Sequence, residues 1–219
     1  MRRIANRNLP ESLGELLAKE LAPVVVIVDC QNDFAAPEGH FAKAGVDVAG
    51  IRGRLPKIAE FLAGARSAGI PVIHVHQLTL PNGASDSDAW LHFKTRTGRA
   101  PNYTLPGSWG AKPLSGFEPV GEEPVVFKYR PDAFLRTNME HVLAALRCRT
   151  IVVCGMFTEG CVESTVRSAS HRDYYVVVAE DAVASVRLDR HEASLALMRE
   201  RYTVSSSLEI LDAFLVTRQ

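Results

Sequence analysis

Thr150-Ile151-Val152-Val153-Cys154-Gly155-Met156-Phe157-Thr158-Glu159-Gly160-Cys161-Val162-Glu163-Ser164-Thr165 is the stretch on which the fold turns. Its first five residues form a β-rich run that reads as a strand. Gly155 ends the run and a short turn follows. Cys161 then lands in the first turn of a helix predicted over residues 159–171, with Thr158 as its N-cap. That placement matters because a thiol attacks only as thiolate. The exposed N–H groups and positive dipole end of a helix favour that form. Taken alone, Cys161 reads equally well as a small residue packing a helix on a sheet.

Outward from this unit the same alternation continues. Residues 13–21 read as an amphipathic helix. Val24-Val25-Val26-Ile27-Val28-Asp29 is a continuous apolar run, the mark of a strand buried on both faces. A helix follows over 51–68, then a second strand over 71–77 and a third over 124–128. Thr137-Asn138-Met139-Glu140 has capping-box spacing and opens a helix to Arg147. A fifth strand is predicted over 174–179, a helix over 190–201, a short edge strand over 202–205 and a last helix over 208–216. Alternating β and α predicts an α/β fold with an open, mostly parallel sheet of about six strands and helices on both faces. The chain reads as a single domain over 1–219, with 1–22 as an N-terminal helical extension. Residues 78–123 are irregular and rich in Pro, Gly and Ser. A loop of that length inside a compact domain carries function or an interface.

Composition narrows the function. Lys+Arg and Asp+Glu are balanced at 25 each, which argues against a global basic field for nucleic acid or membrane. No apolar run approaches the roughly 20 residues that span a bilayer. The basic start, Met1-Arg2-Arg3-Ile4-Ala5-Asn6-Arg7, lacks the apolar core of a signal peptide. Cys30, Cys148, Cys154 and Cys161 include no CxxC pair, so reduced thiols and a cytoplasmic location are expected rather than a zinc clamp or a disulfide frame. Cys30, Cys148 and Cys154 read as packing residues.

In such sheets ligands sit beyond the carboxyl ends of the strands. Asp29 ends the first strand, Lys128 ends the third, and Cys161 follows the fourth by one turn. Each has an ordinary structural reading; their joint appearance at one edge points to chemistry. Cys161 attacks a carbonyl carbon and forms a thioester. Lys128 supplies a cation that stabilises the thiolate and pairs with Asp29. Asp29 takes the thiol proton, returns it to the departing amine and then activates water. Backbone donors in the turn hold the oxyanion. Strands lie about 4.8 Å apart, so the lysine can be at most two strands away.

These same residues carry a resemblance. Val26-Ile27-Val28-Asp29-Cys30-Gln31-Asn32-Asp33-Phe34, Phe127-Lys128-Tyr129-Arg130-Pro131-Asp132-Ala133-Phe134 and the Thr-x-x-Cys-Val-Glu-Ser-Thr form at 158–165 are similar to motifs of the isochorismatase-like cysteine hydrolases. Gly107-Ser108-Trp109-Gly110-Ala111 resembles a loop that precedes their lysine strand. The resemblance implies a three-layer αβα fold and a triad of Asp29, Lys128 and Cys161. It implies a cis peptide at Met156–Phe157 that aims the Phe157 and Cys161 N–H groups as an oxyanion hole. It also implies cleavage of linear C–N bonds in compounds such as nicotinamide, N-carbamoylsarcosine, ureidoacrylate, biuret or maleamate. True isochorismatases cleave a vinyl ether and lack the cysteine, so Cys161 argues against that reaction. Family members are homo-oligomers, which suggests a dimer or tetramer.

The substrate is less sharply indicated. The Pro-x-Gly-x-Phe pattern within Gln31 to Val48 looks closer to the ureidoacrylate, biuret and carbamoyl amidohydrolases. Those substrates often bear a carboxylate, for which His92, Lys94, Arg96, Arg99 and Lys112 are candidate partners, Arg96 foremost. Phe34, Trp109 and Phe157 are candidate pocket walls. His74 and His76 share a strand face, so a two-histidine metal pair is geometrically possible. No Asp-x-His follows, and no cofactor is expected. A metal-assisted nicotinamidase-like deamidase and a non-catalytic oligomerising domain stay open as alternatives.

Overall fold

The computed structural model describes residues 2–4 and 7–216. It opens with an antiparallel hairpin, β1 (Arg2–Ile4) and β2 (Arg7–Leu9), followed by α1 (Leu13–Leu16) and a 3₁₀ turn at Lys19–Leu21. The expected helical extension is thus a hairpin plus two short turns. Ser12 and Glu15 close a capping box on α1, but Ala22 turns left-handed (φ 42) before Pro23. Three residues of the basic start (1, 5 and 6) lie outside the described residues.

Then come β3 (Val24–Val28), α2 (Asn32–Ala35), α3 (His40–Lys43), α4 (Ala49–Ser67), β4 (Val72–Gln77), α5 (Asp88–Thr95) and β5 (Val125–Lys128). The second half holds α6 (Met139–Ala145), β6 (Thr150–Met156), a π-helical turn (Thr158–Val162), α7 (Glu163–Ser170), β7 (Tyr175–Ala184), α8 (Leu188–Arg199), β8 (Thr203–Ser205) and α9 (Ser207–Val216). The main sheet has six parallel strands in the order β5-β4-β3-β6-β7-β8. Among the described residues no helix is long and apolar enough to cross a membrane.

β3 shows why the layers form. All five of its side chains are buried. Val25 and Ile27 face a core built with Ile58, Phe61 and Leu62 of α4 and Phe214 of α9. Val24, Val26 and Val28 face the opposite core, with Leu143 of α6, Val166 of α7 and Met198 of α8. Period-2 alternation on a strand apolar throughout therefore glues helices to both faces.

Two predicted boundaries move for physical reasons. β7 runs to Ala184 rather than stopping at residue 179, through a bulge opposite Val153 and Gly155. Its polar pair is occupied locally: Glu180 meets Arg199, and Asp181 accepts the Ser207 N–H (2.6 Å) that starts α9. At α6 the capping box is not made. Asn138 is the N-cap without a side-chain bond, while Thr137 Oγ1 accepts from the Met139 N–H (3.2 Å) and donates to the Ala133 carbonyl (2.6 Å).

One glycine is dictated by close approach. Gly155 has φ +118, and a Cβ there would lie 2.3 Å from the Val28 carbonyl oxygen. Its bareness lets β6 run against β3 at the residue before Asp29. Gly155→Ala is expected to cost about 2–5 kcal/mol from backbone strain plus overpacking. Urea denaturation checks this; an unchanged midpoint would refute it.

Candidate active site

The sheet order creates one switch point. The chain leaves β3 towards β4 and β5 on one side, then returns to β6 on the other. Crevices at such points, beyond the carboxyl ends of the strands, are where α/β sheets bind ligands. Asp29 leaves β3 at that point in a left-handed conformation (φ 56), its N–H donating to the Val75 carbonyl (2.8 Å). Lys128 ends β5 in register with Gln77 of β4.

These residues meet. Lys128 Nζ donates to Asp29 Oδ2 (2.7 Å), to Gln77 Oε1 (3.0 Å) and towards Cys161 Sγ (3.3 Å). Asp29 and Lys128 are each 0% exposed, whereas Cys161 is partly exposed. Lys128 is two strands from β3 but three from β6, further than the spacing argument allowed. The gap closes because Cys161 is not on β6. It sits in the turn after β6, and that turn leads back over the sheet edge to the lysine.

The turn departs from expectation in two ways. Among the described residues no peptide bond is cis, so Met156–Phe157 is trans. The chain turns instead through Gly155 (φ 118) and a left-handed Phe157 (φ 64, ψ 66). The cysteine helix also starts later than predicted. Thr158–Val162 winds as a π turn, the Phe157 carbonyl accepting from Gly160 (2.9 Å) and Val162 (3.1 Å). Such turns concentrate at functional sites. Thr158 is not an N-cap; its hydroxyl bonds His191 Nδ1 (2.8 Å), while Ser194 reaches both the Thr158 carbonyl and Glu163. α8 thereby braces the turn from behind.

The charge states follow from burial and neighbours. Burial, then the Asp29 charge, pushes the Cys161 thiol up, and Lys128 only partly opposes them. Burial works against the Lys128 ammonium, but Asp29 and Cys161 outweigh it and hold its pKa above the ordinary value. Helix position alone favoured the thiolate, whereas burial and the Asp29 charge favour the neutral thiol. Cys30, Cys148 and Cys154 are buried and burial raises all three, in keeping with packing roles.

Cys161 opens into a cavity of about 370 Å³. Phe34 and Phe157 line it, their ring centroids 5.0 Å apart, and Phe41 and Tyr103 complete the aromatic wall. Arg96 lines it too, stacked over Phe93 at 4.5 Å. Trp109 does not. Its side chain is half exposed, and its carbonyl accepts from Asn32 Nδ2 (2.8 Å). The Gly-Ser-Trp-Gly-Ala loop is a brace: Gly110 accepts the Asp33 N–H, and a Cβ on Gly110 would strike the Asp33 carboxylate at 2.2 Å. Lys94 faces the cavity but is paired with Asp86 (2.8 Å). His92 and Lys112 are not part of the lining.

His74 Nε2 donates to the Glu123 carboxylate (2.8 Å), which also holds Arg66. Burial lowers the His74 imidazole despite Glu123, and pushes His76 down to about 4. Among the described residues no group of three His, Cys, Asp or Glu side chains is placed to hold a metal ion.

Sequence reading missed Gln77, although it ends a strand at the same edge as the others. Its carbonyl oxygen Oε1 holds Lys128, while Gln31 clamps its backbone from both sides (Nε2 to the Gln77 carbonyl, 3.0 Å; Oε1 from the Gln77 N–H, 2.8 Å). Gln77→Leu is expected to lower turnover about 10²-fold by letting the ammonium drift, and to lower the melting temperature by several degrees because a buried charge loses a hydrogen-bond acceptor. Steady-state kinetics beside a melting curve test this, and undiminished turnover would refute it.

Fold and site together define an αβα enzyme domain with a cysteine, a lysine and an aspartate gathered at its switch point. An isochorismatase domain matches residues 23–209. The chain is 33% identical over 183 residues to a ureidoacrylate amidohydrolase RutB of Methylobacterium radiotolerans, covering 78% of this chain and 71% of that one. It resembles an isochorismatase family protein of Desulfovibrio vulgaris (TM-score 0.75, 27% identity, 89% and 98% covered) and an isochorismatase-like hydrolase of Alkaliphilus metalliredigens (TM-score 0.75, 22% identity, 88% and 98% covered). The chain belongs to the isochorismatase-like hydrolase family.

Proposed function

We propose that this hydrolase cleaves the C–N bond of a small linear amide, ureido or carbamoyl compound through a thioester on Cys161. The carrying observation is that one buried ammonium, Lys128 Nζ, touches the Asp29 carboxylate and the Cys161 sulfur at once beside a cavity of small-molecule size. The likeness to ureidoacrylate amidohydrolases supports the choice of bond.

Each step uses a group already in place. Asp29 Oδ1 is buried and makes no hydrogen bond among the described residues, so it is free to take the thiol proton. The sulfur attacks the carbonyl carbon as that proton leaves, and Lys128 holds the charge on the sulfur until the bond forms. The N–H groups of Phe157 and Cys161 are assigned as the donors that stabilise the oxyanion. Asp29 passes its proton to the nitrogen, the C–N bond breaks and ammonia or an amine leaves. Water then attacks the thioester, giving its proton to Asp29, and the thiol is restored with release of the acid.

An ammonia-release screen over small amides, ureides and carbamoyl amino acids tests the bond. Intact-mass measurement of acid-quenched enzyme tests the intermediate. The expected result is turnover of at least one such compound with an acyl mass added at Cys161. No release from any of them, or turnover with the adduct on another residue, overturns the reading.

A further inference from the structure

His191 and Ser194 stand three residues apart on one face of α8, and each is 3% exposed. Neither lines the nucleophile cavity. Both direct their polar atoms at the turn that carries Cys161. His191 Nδ1 lies 2.8 Å from Thr158 Oγ1. Ser194 Oγ is 3.3 Å from the Thr158 carbonyl oxygen and 2.6 Å from the Glu163 carboxylate. Thr158 opens the π turn and Glu163 follows its last residue, so α8 grips both ends with Cys161 between them. Thr158 is fully buried, and no water can stand in for His191 at its hydroxyl.

The other ring nitrogen shows what the imidazole is for. Nε2 is buried and makes no hydrogen bond among the described residues; Glu192 Oε1 stands 3.9 Å away. Burying a ring with half of its hydrogen-bonding capacity unmet is costly. A residue needed only to fill that space would be apolar. Burial, then the Arg54 charge, lowers the imidazole pKa against the pull of Glu192 and Glu159, which favours the uncharged ring. The turn also needs outside support, because Phe157 enters it left-handed (φ 64), a conformation that persists for a bulky side chain only where its surroundings hold it. We propose that His191 is a positioning residue for the nucleophile: its bond to Thr158 fixes the turn so that Cys161 Sγ stays 3.3 Å from Lys128 Nζ. The inference rests on Cys161 being the nucleophile and places His191 outside the reacting atoms.

Alkylation of Cys161 by iodoacetamide, followed by peptide mass, reads the surroundings of the sulfur without any substrate. His191→Leu and His191→Asn are close in shape, but only asparagine keeps a polar atom where Nδ1 stands. Thr158→Val and Thr158→Ser make the same comparison for the hydroxyl. His191→Leu and Thr158→Val are each expected to slow alkylation about 10-fold or more, because the displaced sulfur loses Asp29 and Lys128 together. His191→Asn and Thr158→Ser should keep most of the wild-type rate. The double variant His191→Leu/Thr158→Val should be no slower than the slower single variant, since both remove the same bond. On any amide that the wild type turns over, His191→Leu should lower kcat and leave KM within about threefold. Melting curves accompany each rate, and Thr158→Val carries the test alone if His191→Leu does not fold. Unchanged or faster alkylation with a lowered melting temperature would reduce His191 to packing and overturn the proposal. Equal losses for leucine and asparagine, or losses that add in the double variant, overturn it too. Failure of the amide-hydrolase reading would look different: no ammonia release by the wild-type enzyme, with the dependence of alkylation on His191 intact.

Discussion

Cys161→Ser is expected to lower turnover by at least about 10⁴-fold while leaving the melting temperature within a few degrees of wild type. The substitution changes one atom at a partly exposed position, so little packing is at stake. Its chemistry changes completely. The surroundings already make the thiol hard to ionise, through burial and the Asp29 charge, and the proposed mechanism has Asp29 remove the proton during attack. A hydroxyl is a far weaker acid than a thiol, and the same carboxylate cannot draw its proton at useful rates. Steady-state ammonia release, measured beside a thermal melt, reads both halves. A serine variant within tenfold of wild type would remove the covalent mechanism; a variant that fails to melt cooperatively would transfer the question to Cys161→Ala.

Much of this site was legible because strand ends are legible. β3 and β6 are apolar runs closed by a polar residue or a glycine, and an α/β alternation sends their carboxyl ends to one edge. That logic located Asp29, Lys128 and Cys161 without coordinates. It could not locate Gln77, because a glutamine after two histidines carries no pattern, and its role arises only from the register that sets it beside Lys128. It misjudged Trp109, since a ring in a glycine-rich loop gives no sign that its carbonyl is the part in use. It misplaced the geometry of the nucleophile turn, where Phe157 takes a left-handed conformation unusual for a bulky side chain. Residues 78–123 stayed unread for a related reason. α5 packs by tertiary contacts, Lys94 to Asp86 and Tyr103 among them, that no local periodicity announces.

Lys128→Met should damage stability as well as activity, and the pattern of that damage identifies the ion pair. Asp29 and Lys128 are fully buried and 2.7 Å apart, so deleting the ammonium strands a carboxylate in the interior. Breaking such a pair costs about 3–5 kcal/mol, whereas replacing both members with neutral groups is often close to neutral. The single variant is therefore expected to melt roughly 10 °C lower, at about 2–4 °C per kcal/mol for a domain of this size. The double variant Lys128→Met/Asp29→Asn should regain most of that loss and remain inactive, because neither the proton acceptor nor the cation beside the sulfur survives. The pH dependence carries a sign. The Lys128 pKa is raised in the folded protein, so its contribution is fully present below the ordinary lysine value of 10.5 and is lost as pH rises through the folded value. Wild type should lose stability at strongly alkaline pH by a step that Lys128→Met lacks. Single variants whose costs simply add in the double variant would show two independent residues, and the shared ammonium on which the proposed chemistry depends would have no energetic counterpart.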